Sequence, residues 1–228
     1  MRMKNLILTA ALVAAPVASA SAAIVITEVH PNGSSTATYG ADFFELTNTG
    51  STDVDITGWK IDDNSFSSAT AVAMRGLMTL PAGASAVFLE NGTDSSADAA
   101  KLTAFTTAWF GSSVPSGLLV GFYGGSGVGL SSGGDGVEVF DSANTIITGV
   151  QFGATTAGTT LDNAAGLGGT GPTFPTISTN SVAGTNGAFT SPTGEVGSPG
   201  TIANAAVPEP ASLALIAVTG LGLLKRRR

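Results

Sequence analysis

Cysteine is absent and histidine occurs once. The first absence excludes a disulfide scaffold, a thiol nucleophile and Cys-ligated zinc. The second leaves His30 as the one imidazole on which a Ser-His or Cys-His relay can be built. Charge is also scarce. Charged residues make up 11% of the chain, against roughly 25% in an average soluble domain. The formal charge of −7 argues against nucleic acid as a partner, because phosphates call for clustered Lys and Arg. The two terminal apolar runs, 6–17 and 211–224, both fall short of the roughly 20 residues that span a bilayer as a helix. Glycine, by contrast, is plentiful at 31 of 228 residues, about twice the usual share. Hydrophobic residues at 43% suffice for a core, and the length fits about one or two domains.

Residues 1–22 read as a cleaved secretory signal. Arg2 and Lys4 form a positive start, an apolar stretch follows, and small residues then accumulate toward two overlapping A-x-A sites. Pro16 and the short run disfavour a transmembrane anchor. Cleavage is expected at Ala22 or Ala23, because strand-like sequence starts at Ile24.

At the other end, Pro208-Glu209-Pro210 precedes the apolar run 211–224, and Lys225, Arg226, Arg227 and Arg228 close the chain. Fourteen residues as a helix reach about 21 Å, short of the roughly 30 Å of a bilayer core. The basic cluster would hold the terminus on the cytoplasmic side during a transient membrane insertion. These three features in this order resemble the PEP-CTERM sorting signal. The resemblance implies processing by an exosortase, a transpeptidase-like membrane enzyme. It also implies a Gram-negative bacterium making extracellular polysaccharide or biofilm, and a precursor anchored in the inner membrane. The plainer alternative is a simple C-terminal anchor. Without both ends, residues 23–207 hold Lys60, Arg75 and Lys101 against fifteen acids, a net −12. That balance favours solubility and disfavours anionic surfaces.

Between the ends the pattern is β-rich. Apolar alternation and β-branched content predict strands at 24–29, 42–47, 54–61, 69–80, 84–90, 117–123, 136–140 and 145–152. Asn32-Gly33, Asn48 to Gly50 and Asn91-Gly92 supply turns. Gly58 breaks the alternation within 54–61 and predicts a bend. One helix interrupts, with Ser95 as N-cap, Asp98 as its capping-box partner, Leu102, Phe105 and Trp109 as an apolar stripe, and Gly111 as terminator. Trp109 reads as core packing or a lid. Residues 153–202 read as long Gly/Thr/Ser-rich loops with short strands near 178–182 and 188–190, partly packed through Phe174, Ile177, Val182 and Phe189.

Two segments, Phe43-Phe44-Glu45-Leu46-Thr47-Asn48 and Val54 to Asp63 with its Gly58-Trp59 pair, resemble the lamin-tail domain. Ile26 to Val29, 80–88, 133–141 and 146–152 are similar to its other strands. The resemblance implies an all-β fold: an immunoglobulin-like β-sandwich with one inserted helix, over residues 23–203 with the best match at 24–152. The signal peptide (1–22) and the sorting signal (207–228) flank it. Trp59 then anchors the core, and Phe43 and Phe44 point to opposite faces. The family implies an interaction module.

Catalytic candidates are thin. Glu28 and Glu45 sit on neighbouring strands and offer a carboxylate pair for glycoside hydrolysis; the plainer reading is solvent-facing glutamates or a lamin-tail structural feature. Asp62-Asp63-Asn64 and Asp53/Asp55 offer oxygens to calcium but lack the EF-hand spacing, so solvated loops are the plainer reading. The glycines of 124–134 lack a following Lys-Ser/Thr, so a flexible loop explains them better than a phosphate cradle. His30 reads as a turn residue. The sequence therefore leads to an exported, non-enzymatic surface protein with no catalytic residue, no metal and no cofactor. Its expected partners are signal peptidase, exosortase, and extracellular polysaccharide or other surface proteins. The alternatives are a calcium- or glycan-binding adhesion module and a polysaccharide hydrolase using Glu28 and Glu45.

Overall fold

A computed structural model describes residues 24–201. The signal-cleavage residues Ala22 and Ala23 lie outside the described residues, as do the sorting residues Pro208, Glu209, Pro210, Lys225, Arg226, Arg227 and Arg228.

The chain runs β1 (Ile24–His30), α1 (Gly33–Thr36), β2 (Phe43–Asn48), β3 (Val54–Asp55), β4 (Lys60–Asp62), β5 (Val72–Arg75), β6 (Thr79–Leu80) and β7 (Ser85–Asn91). A 3-10 turn (Ser95–Ala97) then leads into α2 (Asp98–Phe110), followed by β8 (Leu119–Gly124), β9 (Asp135–Phe140) and β10 (Ile146–Phe152). Four two-residue strands finish it: β11 (Leu161–Asp162), β12 (Thr176–Ile177), β13 (Phe189–Thr190) and β14 (Val196–Gly197). Ten strands hydrogen-bond in the order β11-β1-β2-β7-β8-β5-β4-β9-β10-β12. The sheet folds over on itself into an immunoglobulin-like sandwich.

The alternation explains the core. Ile24, Ile26, Phe44, Leu46, Ala86 and Phe88 face Ile61, Val137, Val139, Val150 and Phe152 across the interior. Trp59 is buried among them, and Gly58 turns the chain beside it with φ +76°. Strands β7 and β8 are parallel, so they need a crossover, and α2 is that crossover. The helix lays Phe105, Ala108 and Trp109 on the outer face of the first sheet, against Phe43, Val87, Leu89 and Phe122. Phe43 and Phe44 therefore do face opposite layers, and Trp109 is a fully buried lid. Each such large side chain contributes about 1.5 to 3 kcal/mol through burial.

Several expectations fail for local reasons. Asp94, not Ser95, caps the helical start by accepting from the Ser96 amide, because a 3-10 turn precedes α2. Leu102 is 37% exposed, and Ala108 completes the stripe in its place. Gly33 begins a short helix rather than only a turn, with the Ser34 amide held by Asp42. Val182 is 60% exposed, and its neighbourhood holds one isolated bridge at Asn180 instead of a strand. The glycine-rich loop is not free: Val128 and Leu130 in its middle are buried in the core.

Candidate functional site

A β-bulge creates the most polar part of the interior. Strand β1 pairs Ile26 with Leu46 and then Glu28 with Glu45, leaving Thr27 as the extra residue. Strict alternation after Ile24 and Ile26 would aim Glu28 into the apolar core. The bulge shifts the phase, so Val29 points inward while Glu28 lies on the outer face beside Glu45.

Neither glutamate faces solvent there, which overturns that expectation: Glu28 is 0% and Glu45 1% exposed. The C-terminal segment covers them. Glu28 Oε1 accepts from the Ser198 amide at 2.6 Å, Thr160 Oγ1 at 2.6 Å and Ser198 Oγ at 3.3 Å. Glu45 Oε2 accepts from the Gly200 amide at 2.6 Å, and its Oε1 from Thr27 Oγ1 at 2.6 Å. The hydroxyls continue outward, Thr27 to Thr47 and Ser85, and Thr160 to Ser181. Burial pushes Glu28 up to about 7. Burial first, and then the charge of Glu28, hold Glu45 well above the usual carboxylate range. Burial thus favours the protonated form of both carboxyls, and the two titrate as a pair.

His30 extends this layer. It ends β1 and is fully buried, not a turn residue. Its Nε2 lies 2.9 Å from Glu195 Oε1, and its ring packs edge-on to Phe43 and Trp109. Tyr39 OH and Thr193 Oγ1 donate to the same Glu195 carboxylate at 3.3 and 3.2 Å. One continuous polar layer thus ties β1 and β2 to residues 193–200.

The structure brings Glu28 and Glu45 together as the sequence suggested, but seals them. Segment 198–200 occupies the side from which a glycosidic bond would have to approach. The calcium candidates are dispersed in turns. Asp53 accepts from the Ala82 amide, Asp55 from the Thr57 amide and Asp63 from the Ser65 amide. Asp62 departs from the solvated-loop reading. It is buried and accepts from Ser65 Oγ, the Ser67 amide and Thr70 Oγ1 at 2.5, 2.7 and 3.0 Å. Among the described residues, no three His, Asp or Glu side chains converge as metal ligands. Sequence reasoning missed Thr160, Glu195, Ser198 and Gly200. Glu195 carries the available signal, as the lone acid between Asp162 and Glu209.

The PEP-CTERM protein-sorting motif matches residues 206–228. That motif marks the chain for export and for recognition by exosortase. No curated protein matches the chain closely enough to serve as a relative. The Lamin Tail Domain matches residues 17–154, which hold most of both core layers and the Glu28–Glu45 pair. That match spans more than half of the chain, and the protein belongs to the lamin tail domain family.

Proposed function

We propose that the protein is a non-enzymatic surface module, exported through a cleaved signal peptide and sorted by exosortase to the exterior of a Gram-negative cell. There its loops and edge strands engage extracellular polysaccharide or other surface proteins. The observation that carries this reading is the coupling of a sorting motif to a sandwich whose paired carboxylates are consumed as internal hydrogen-bond acceptors. A buried Glu28–Glu45 pair serves as an anchor for the C-terminal segment rather than as an acid and a nucleophile.

Mass spectrometry of the mature C-terminus, from the cell surface and the medium, tests the sorting half. A terminus near Pro208 to Pro210, with or without added mass, supports it. An intact Arg228 makes the tail a plain anchor and removes the surface-matrix reading. A panel of polysaccharides tests the other half: turnover that disappears in Glu45→Gln would establish the hydrolase alternative.

One observation favours glycan as the ligand. A shallow groove of about 550 Å³ is lined by Asn64, Phe66, Asp135, Gln151 and Thr176. An aromatic face among amide, hydroxyl and carboxylate groups suits a sugar ring. Loss of polysaccharide retention in Phe66→Ala, with the fold intact by circular dichroism, is the expected result.

A further inference from the structure

The outer face of the second sheet holds a different carboxylate. Strand β9 turns Val137 and Val139 into the core, which leaves Glu138 on the opposite side. Glu138 is 0% exposed. Neither of its oxygens has a hydrogen-bond partner, which sets it apart from the other buried carboxylates among the described residues. Leaving such a group bare is costly in any protein interior.

Its surroundings are built. Asp62 stands directly opposite Glu138 on β4, and Gly149 opposite it on β10. A Cβ at Gly149 would lie 2.5 Å from the Phe174 ring, and one at Gly136 would lie 2.5 Å from the Phe66 ring. The two rings stack with centroids 4.5 Å apart. Two glycines thus let an aromatic cover close down on either side of the carboxylate. Phe66 reaches its place with φ +49°, a left-handed conformation rare for an aromatic residue. Burial first, and then the Asp62 charge, push Glu138 up to about 7.

No cation of the chain answers this charge among the described residues. Lys60 shares the face but donates to Asn144 Oδ1 at 2.8 Å. Arg75 is paired with Asp98, and Lys101 donates to the Tyr39 and Gly40 carbonyls. The available donors are hard oxygens: both carboxylates, with the Ser65 and Thr70 hydroxyls already gathered at Asp62. Calcium accepts irregular sets of carboxylate, hydroxyl and water oxygens, whereas magnesium demands near-ideal octahedra.

We propose that Glu138 and Asp62, with the Ser65 and Thr70 hydroxyls, bind one calcium ion beneath the Phe66–Phe174 cover. Two carboxylates from the chain leave water to complete the shell. The site lies apart from the Glu28–Glu45 layer and shares Phe66 with the groove proposed for glycan.

The test uses the full chain in mild detergent, melted in EDTA, in calcium chloride and in magnesium chloride. An affinity of about 0.1 to 1 mM, typical of extracellular calcium modules, is expected. Calcium at about 5 mM then raises the melting temperature by roughly 2 to 8 °C, and magnesium by less. Glu138→Gln abolishes the calcium shift, and Asp63→Asn keeps it. Glu138→Asp, which retains the charge but shortens the arm, weakens binding about tenfold by calorimetry. A melt identical in EDTA and calcium overturns the proposal. So does a calcium response that survives in Glu138→Gln, or undiminished affinity in Glu138→Asp.

Discussion

At the residue scale, Glu28 and Glu45 oppose each other across β1 and β2 without a cation between them. Both carboxyls are held above the ordinary range in the folded protein, so the folded state binds more protons than the unfolded chain. For Glu28 the difference opens near pH 4.5 and closes as pH rises through about 7. Stability from this pair is therefore fullest in mild acid and is lost toward and above neutrality. Thermal melts at pH 5.5 and pH 8 should show the higher midpoint in acid. Glu28→Gln should shrink that difference, because an amide does not titrate. A melting temperature that rises with pH in the wild type, or an unchanged slope in the variant, would contradict the assignment. Glu45→Ala is a harsher change. It leaves the Gly200 amide without its acceptor and the Thr27 hydroxyl with only Thr47 as a partner, and should cost about 2 to 4 kcal/mol by urea denaturation.

At the element scale, the bulge at Thr27, helix α2 and segment 193–200 act together. The helix covers Phe43, and the segment covers Glu28 and Glu45. Trp109→Ala should cost about 3 to 5 kcal/mol, because a fully buried indole leaves a large void between the helix and the sheet. Gly200 sits at φ +77° and hard against Leu118. Gly200→Ala should therefore destabilise by about 1 to 3 kcal/mol while leaving distant Lys60 and Asn144 contacts intact. Truncation after residue 154, the end of the family match, would bare two buried carboxylates and the face that His30 shares with Glu195. That fragment should lose cooperative unfolding in a denaturant titration. A fragment as stable as the full chain would show that the C-terminal segment is ornamental.

At the scale of the whole molecule, residues 202–205 separate the sorting motif at 206–228 from the last described residue, Thr201. The Ser198 and Gly200 amides are bonded into the sandwich, so few residues separate the anchored segment from Pro208. A double change of Pro208 and Pro210 to Ala should leave a precursor with an intact Arg228, read by mass spectrometry, without altering the melting temperature of the domain.

Sequence by itself determined the features that rest on local pattern. The sorting signal around Pro208-Glu209-Pro210 is legible by its resemblance to a short terminal motif, and the Gly58-Trp59 turn, the division of Phe43 from Phe44, and most long strands follow from spacing and turn chemistry over a few residues. Tertiary structure decided the rest, because it depends on partners far apart in the chain. Glu28 meets Ser198 at a separation of 170 residues, and His30 meets Glu195 at 165. No local pattern distinguishes those side chains from solvated ones. The one-residue bulge at Thr27 moves Glu28 from the core side to the outer face, and such a shift of phase is set by pairing with β2, not by composition. The bare carboxylate of Glu138 is likewise invisible in Asp135 to Phe140, which reads as an ordinary half-exposed strand. Its burial is decided on a face where Phe66 and Phe174, remote in the chain, close over Gly136 and Gly149.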